Sequence, residues 1–239
     1  MTSAGLVVQD VVVRYGGVRP LDGVSLEFAG GVCGIVGPNG AGKTTFFNVL
    51  SGFARVAEGA VRFDGIDLLA MSPARRARWG LRRTFQQEQV IQELSGEDNV
   101  LLTAEHTGAG RDDVRTALDF VGLERPHRAG SRLTMLERRL VEFAKAIVGT
   151  PRIVLLDEPA AGLSSAETQR LATLITAMPD TFGVLVVLVD HDMDLVSAVC
   201  RSVAVLDFGK RIALGPTAEV LASEQVKRAY LGTADVEQA

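Results

Sequence analysis

No stretch of this chain is apolar for long enough to cross a bilayer: the longest run, Phe182 to Val189, ends at Asp190, far short of the roughly 20 residues a spanning helix needs. Cysteine is almost absent. Cys33 and Cys200 sit in apolar surroundings with no metal-ligand spacing, which excludes a disulfide framework and suits buried thiols in a reducing compartment. Positive charge is not in surplus either. A net charge of −4 and a pI near 5.5 argue against broad electrostatic binding to nucleic acid. There is no internal repeat, low-complexity tract or long linker, and Met1 to Gly5 lack the basic and apolar regions of a signal peptide. These absences predict a soluble protein whose membrane association comes through a partner. At 239 residues and 25.5 kDa it is one large domain or a domain with an inserted lobe, long enough for a substantial core, and size alone does not split it.

What is present is organised around Gly37-Pro38-Asn39-Gly40-Ala41-Gly42-Lys43-Thr44-Thr45, which fits the phosphate-loop pattern G-x-x-x-x-G-K-[ST] at every fixed position. The apolar run Val32 to Val36 before it reads as a buried strand, and Thr45 to Leu50 after it as the first turns of a helix. Glycines let the backbone curl so that successive N–H groups and the helix N-terminus face phosphate oxygens. Lys43 then reaches the β- and γ-phosphates of a nucleoside triphosphate and the Thr44 hydroxyl ligates Mg²⁺.

Leu6 to Val13 and Leu21 to Phe28 read as two opening strands, with Tyr15 at their junction, either stacking on a purine or serving as an ordinary strand-end aromatic. Asp64-Gly65 between Ala60–Phe63 and Ile66–Leu68 predicts a two-residue hairpin. Ser72-Pro73 starts a short basic helix whose Arg75, Arg76 and Arg78 read as a solvated face. Leu81 to Gln87 leaves the β region, and helical patterns follow over Asn99–Glu105, Asp112–Val121 and Met135–Val148. Three further apolar strands are predicted: Ile153 to Asp157, Gly183 to Val189 and Val203 to Leu206. Helices between such strands imply a parallel sheet covered on both faces. The tail from Thr233 is small and acidic and is expected to fray.

Asp157 and Glu158 close one apolar strand, at the edge where open α/β sheets bind ligands. There Asp157 can hold Mg²⁺ while Glu158 polarises the attacking water. His191, between Asp190 and Asp192 at the end of another strand, can donate to the γ-phosphate or be simply structural.

With the phosphate loop, Phe85-Gln86, Leu156-Asp157-Glu158-Pro159, Ala161-Gly162-Leu163 and Asp190-His191 in that order, nearly the whole chain resembles an ATP-binding cassette (ABC) transporter ATPase. Arg83-Thr84-Phe85-Gln86 and Glu158 to Leu163 most resemble the ATPases of branched-chain amino-acid importers. The resemblance implies an α/β fold: a P-loop NTPase (RecA-like) core with an antiparallel β subdomain, built from residues 1–86 and 150–232, an inserted helical subdomain from 87 to 149, and a tail from 233 to 239. It also implies that Tyr15 stacks on adenine, that Gln86 links Mg²⁺ to the coupling segment of a permease, that Glu158 is the catalytic base and that His191 is the switch histidine. Two cassettes would face head to tail on integral-membrane permease subunits at the cytoplasmic face of the membrane, served indirectly by a substrate-binding protein, with no nucleic acid involved. The alternatives of similar pattern are an exporter ATPase and a weakly hydrolysing regulatory cassette.

One segment departs from the family pattern. Where cassettes carry L-S-G-G-Q, this chain has Leu133-Thr134-Met135-Leu136-Glu137. Side chains at Met135 and Leu136 obstruct a backbone approach that glycine allows, and Glu137 brings negative charge toward the opposite γ-phosphate. A heterodimer with one well-covered site is therefore expected. Ser164 also replaces a common aspartate, and the bridge from His106 to Arg111 is short.

Overall fold

The computed structural model describes residues 5–234; the first four residues and the last five of the expected tail lie outside it. Strands β1 (Leu6–Tyr15) and β2 (Val18–Phe28) form an antiparallel hairpin, followed by β3 (Val32–Val36), α1 (Lys43–Ser51), β4 (Glu58–Phe63), β5 (Ile66–Asp67), α2 (Pro73–Trp79) and β6 (Leu81–Arg83). Then come α3 (Gly96–Thr107), α4 (Arg111–Val121), a 3-10 turn at Gly130–Arg132, α5 (Met135–Ile147), β7 (Ile153–Asp157), α6 (Ser165–Phe182), β8 (Leu185–Val189), α7 (Met193–Val199), β9 (Ser202–Asp207), β10 (Lys210–Pro216), α8 (Thr217–Ala222) and α9 (Glu224–Ala234). Two sheets result. A four-stranded antiparallel sheet runs β2-β1-β4-β5, and a six-stranded sheet runs β10-β9-β3-β8-β7-β6, parallel except for the β9–β10 pair.

The period of two along a strand explains why both faces of the second sheet are covered. Val32 and Val36 of β3, Val154 and Leu156 of β7, and Val186 and Leu188 of β8 face one core, which they share with α5 and α6. Cys33, Ile35, Ile153, Leu155, Leu185 and Val187 face the other, shared with α1 and the antiparallel sheet. Both thiols are buried, and burial pushes Cys200 up to about 12.

The Asp64-Gly65 hairpin forms with both residues at positive φ (50° and 78°), the primed turn that matches strand twist. Four expectations change. Leu81–Arg83 does not leave the β region: it is a parallel edge strand bonded to β7, because its main chain finds free partners there. Phe182 and Gly183 belong to the end of α6, where Gly183 takes the left-handed conformation that stops a helix, so β8 starts at Leu185. The antiparallel strand β10 had no apolar signal to announce it.

The fourth change concerns α2. It is capped by Ser72 with Pro73 at its first position, but its basic residues are not one solvated face. Arg75 and Arg78 are exposed, whereas Arg76 is 3% exposed and donates from Nη1 to Val49 O (2.5 Å) and Leu50 O (2.7 Å) and from Nε to Met71 O (3.2 Å). A buried cation thus closes the C-terminus of α1, where carbonyls lack helical partners and the dipole favours positive charge.

Candidate active site

The strand order places four of the motifs at one edge. β3 leads into the phosphate loop, β8 beside it into Asp190-His191, β7 next into Asp157-Glu158, and β6 at the border into Gln86. Register keeps these ends level, since Ile35 and Asp157 both pair with Val189 from opposite sides. With strands about 4.8 Å apart, residues far apart in sequence meet over a few ångströms.

The loop from Gly37 to Gly42 is held by backbone on both sides. Gly37 (φ 150°) would put a Cβ 2.1 Å from Leu206 O, and Gly42 (φ 106°) would put one 2.4 Å from Pro20 O. Only glycine fits either place. Gly40, also at positive φ, faces open space, and Ala41 accepts from Gly209 N–H across 3.1 Å. Gly42 caps α1 without a side chain, so the N–H groups of Lys43, Thr44 and Thr45 find no acceptor among the described residues. An open concavity of unpaired donors at a helix start matches a polyphosphate. Lys43 Nζ rests on Gly37 O (2.6 Å) and Pro38 O (2.9 Å) of its own loop. Burial pulls its ammonium below the ordinary lysine value, and the Glu158 and Asp157 carboxylates pull it back up. Asn39 and Thr44 are exposed and Pro38 is buried under the loop.

The acid pair differs in setting. Asp157 ends β7, buried, and its Oδ2 accepts from Arg83 Nη2 at 2.8 Å. Glu158 follows at φ 47° while its N–H still bonds Val189 O at 2.8 Å. A left-handed turn on a non-glycine residue is strained by about 1–3 kcal/mol, and here it turns the carboxylate off the strand. Glu158 Oε2 accepts from Gln86 Nε2 (3.0 Å) and lies 3.9 Å from His191 Nδ1. The same Nδ1 is 3.6 Å from Asp190 Oδ1, and the imidazole is 74% exposed. Asp190 is buried, with its carboxyl pushed up by that burial and with Oδ2 unpartnered. Asp192 does not flank the histidine functionally: it caps α7, its Oδ1 accepting from Asp194 and Leu195 N–H.

Thus Lys43, Asp157, Glu158, Gln86 and His191 lie at one sheet edge. Tyr15 sits half exposed opposite Val18 on the hairpin whose return strand passes under Gly42. The segment Leu133 to Glu137 is instead the start of α5. Thr134 is its cap, exchanging bonds with Glu137 (Thr134 N–H to Oε2, 2.8 Å; Glu137 N–H to Oγ1, 3.2 Å). Leu133 is buried, Met135 is 41% exposed beside Gly162, and Leu136 packs against the core. Glu137 is not a bare negative charge, because Arg128 Nη1 stands 3.8 Å from its Oε2.

Sequence reasoning missed Arg83 as an anchor. Besides Asp157 it donates to Asn48 Oδ1 (2.7 Å) and Ser51 Oγ (3.2 Å) and lies over the rings of Phe47 and Phe85 (5.5 and 4.9 Å). Thr84 Oγ1 likewise accepts from Asp157 N–H. The available signal was a pair of arginines inside a short segment preceding Gln86.

A family profile described as ABC transporter matches residues 21–161, spanning the loop, Gln86 and the acid pair. The chain belongs to the ABC transporter family. As an ABC ATPase it hydrolyses ATP to ADP and phosphate in support of transport. It is 34% identical to BraF of Pseudomonas aeruginosa, a high-affinity branched-chain amino acid transport ATP-binding protein, over 96% of this chain and 98% of that one. It is 32% identical to LptB of Escherichia coli K12, the lipopolysaccharide export system ATP-binding protein, over 96% and 98%. Among solved structures, the ADP conformation of MJ1267, an ATP-binding cassette of an ABC transporter, superposes with a TM-score of 0.87 at 27% identity, covering 97% of this chain and all of that one. Among the described residues of this ABC ATPase, no helix is long and apolar enough to cross a membrane.

Proposed function

We propose that this ABC ATPase drives import of branched-chain or related amino acids through permease subunits, on the cytoplasmic face of the membrane. The observation that carries the chemistry is the meeting of the phosphate loop, Gln86, Asp157, Glu158 and His191 on one sheet edge. Lys43 exchanges two loop carbonyls for β- and γ-phosphate oxygens. The residues fit Mg²⁺: the exposed Thr44 hydroxyl, the Asp157 oxygen not held by Arg83, and Gln86 would hold it. When bound, that ion neutralises charge on the transferring phosphoryl group. Glu158 accepts the proton of the attacking water, turned toward it by its left-handed backbone and steadied by Gln86 and His191. Tyr15 offers its exposed ring to adenine.

A cavity of about 320 Å³ opens on the segment that carries Gln86, lined in part by Phe53, Pro73, Ala77, Phe85 and Gln89, with Phe53 62% exposed. It suits an apolar cytoplasmic segment of the permease. The second cassette pairs head to tail, so that Leu133 to Glu137 of this chain covers its ATP; the reading of 87–149 as the lobe that carries this cover stays with it. The obstructed cover favours a heterodimer, and a substrate-binding protein would deliver cargo from outside. Likeness to BraF supports import. Likeness to LptB supports a second reading, export.

Two experiments test this. In the assembled complex, Glu158→Gln should bind ATP as the parent does and turn over about 100-fold more slowly or worse; parental turnover would remove Glu158 as the base. In vesicles carrying the complex, ATP-dependent accumulation of leucine, isoleucine or valine supports import, and ATP-dependent extrusion supports the exporter reading.

A further inference from the structure

The loop that follows Gln86 is gripped by a single stripe of α5. Arg138 Nε donates to Glu88 Oε2 (2.5 Å), Arg139 Nη2 to Gln86 O (3.5 Å), and Lys145 Nζ to Gln89 O (2.6 Å). At the centre, Glu142 Oε1 accepts from Gln89 N–H (2.9 Å) while its Oε2 accepts from Arg139 Nη1 (2.9 Å). Positions 138, 142 and 145 recur at helical spacing, so these groups lie one above the other on one face.

Glu142 and Arg139 are each about 4% exposed. A buried ion pair adds little net stability compared with apolar side chains of the same volume. Its distinguishing property here is direction: it presents one carboxylate oxygen to one backbone N–H of the loop. Burial raises the Glu142 carboxyl, while the Gln89 N–H, Arg139 and Lys145 all favour its charged form. The loop end so held is three residues from the Gln86 side chain that bonds Glu158. Gln89, Glu142 and Lys145 also line the cavity beside Phe53 and Phe85.

We propose that Glu142 is a positioning residue: by clasping Gln89 to α5 it sets the reach of Gln86 onto Glu158. The inference rests on the role of Gln86 proposed above, so Gln86→Ala is measured in parallel. Nucleotide binding at Lys43 does not involve the clasp, which separates positioning from general damage.

The test uses the full chain for amide exchange and its assembled complex for kinetics. In Glu142→Ala, exchange at Gln89 should accelerate at least about tenfold as its acceptor is lost, with β7 and β8 as protected as in the parent. The kcat should fall about 10- to 100-fold, the scale of an ångström-sized misplacement, with KM for ATP within about twofold of the parent. Glu142→Gln, which keeps an acceptor for Gln89 N–H, should recover most of both. If Glu142→Ala does not fold, Lys145→Met removes the bond to Gln89 O together with one positive charge near Glu142, leaves Glu142 paired with Arg139, and should show the same changes at smaller size. Unchanged exchange at Gln89 overturns the clasp. Faster exchange with unchanged kcat overturns the positioning role, as does an equal loss of protection throughout the chain. Parental turnover in Gln86→Ala would instead overturn the role given to Gln86 while leaving the exchange result to stand.

Discussion

Glu137→Gln isolates the charge at the start of α5. Taken alone, a carboxylate roughly 6 Å from a phosphate charge costs about 3 kcal/mol at an effective dielectric near 20. Arg128 stands behind it, 3.8 Å from Oε2. At roughly 9 Å from the same phosphate charge it contributes about 2 kcal/mol of attraction on the same scale, so the net repulsion is about 1 kcal/mol before salt screening. Removing both charges should therefore raise turnover of the site they cover by about fivefold, whereas Glu137→Gln alone leaves the Arg128 attraction in place and should raise it by about 100-fold before salt screening. Stability should change little, because glutamine at the third helical position still closes the box with Thr134, and the lost interaction with the helix dipole is about 0.5 kcal/mol. Glycines at Met135 and Leu136 perturb more. Each glycine costs up to about 1 kcal/mol of helix propensity, and Leu136 also gives up its packing against the core. The assay is steady-state phosphate release from the self-paired chain at matched high concentration, with Glu158→Gln as the blank, alongside a thermal melt. Arg128→Gln is the internal control and should lower turnover. A gain below about fivefold in Glu137→Gln, a gain above about thirtyfold when both Glu137 and Arg128 are glutamine, or no loss in Arg128→Gln, refutes the shielding.

Three further predictions follow from single contacts. Arg76→Met leaves Leu50 O without its partner while Val49 O keeps the Gly52 N–H, so a loss of about 2–4 kcal/mol, or a fall in Tm of about 5–12 °C, is expected; a change under about 2 °C would show that water replaces the guanidinium. Lys43→Ala should weaken ATP affinity by removing the charge on the β- and γ-phosphates, and unchanged binding in a titration would contradict the loop assignment. With burial raising both thiols, Cys200 to about 12, alkylation of either cysteine near pH 8 should proceed only at the rate of unfolding; fast labelling of the native chain would show that the sheet core opens locally.

The nucleotide chemistry and the alternation of strands were legible in the residues themselves. Phosphate-loop glycines, a lysine, and acids closing an apolar run are short-range patterns, and short-range patterns survive translation from chain to fold. Gly37 and Gly42 could be named as necessary before their neighbours were known. That Leu206 O and Pro20 O are what forbid a side chain there was decided by β9 and β2 coming from opposite ends of the chain.

Burial of charge was decided only by the tertiary structure. Arg75, Arg76 and Arg78 are alike as letters, yet only Arg76 meets the carbonyl end of α1. Arg83 and Asp157, 74 positions apart, become partners because β6 and β7 pair in register. Glu137 read alone is a repulsive charge, and in the fold it has Thr134 and Arg128. The α5 stripe that grips the Gln86 loop was likewise invisible, since nothing local to Glu142 points to Gln89. A side chain's type and spacing are local properties, but its electrostatic meaning depends on which distant charges and unpaired backbone groups the strand order brings within about 4 Å of it, at the low dielectric of the interior.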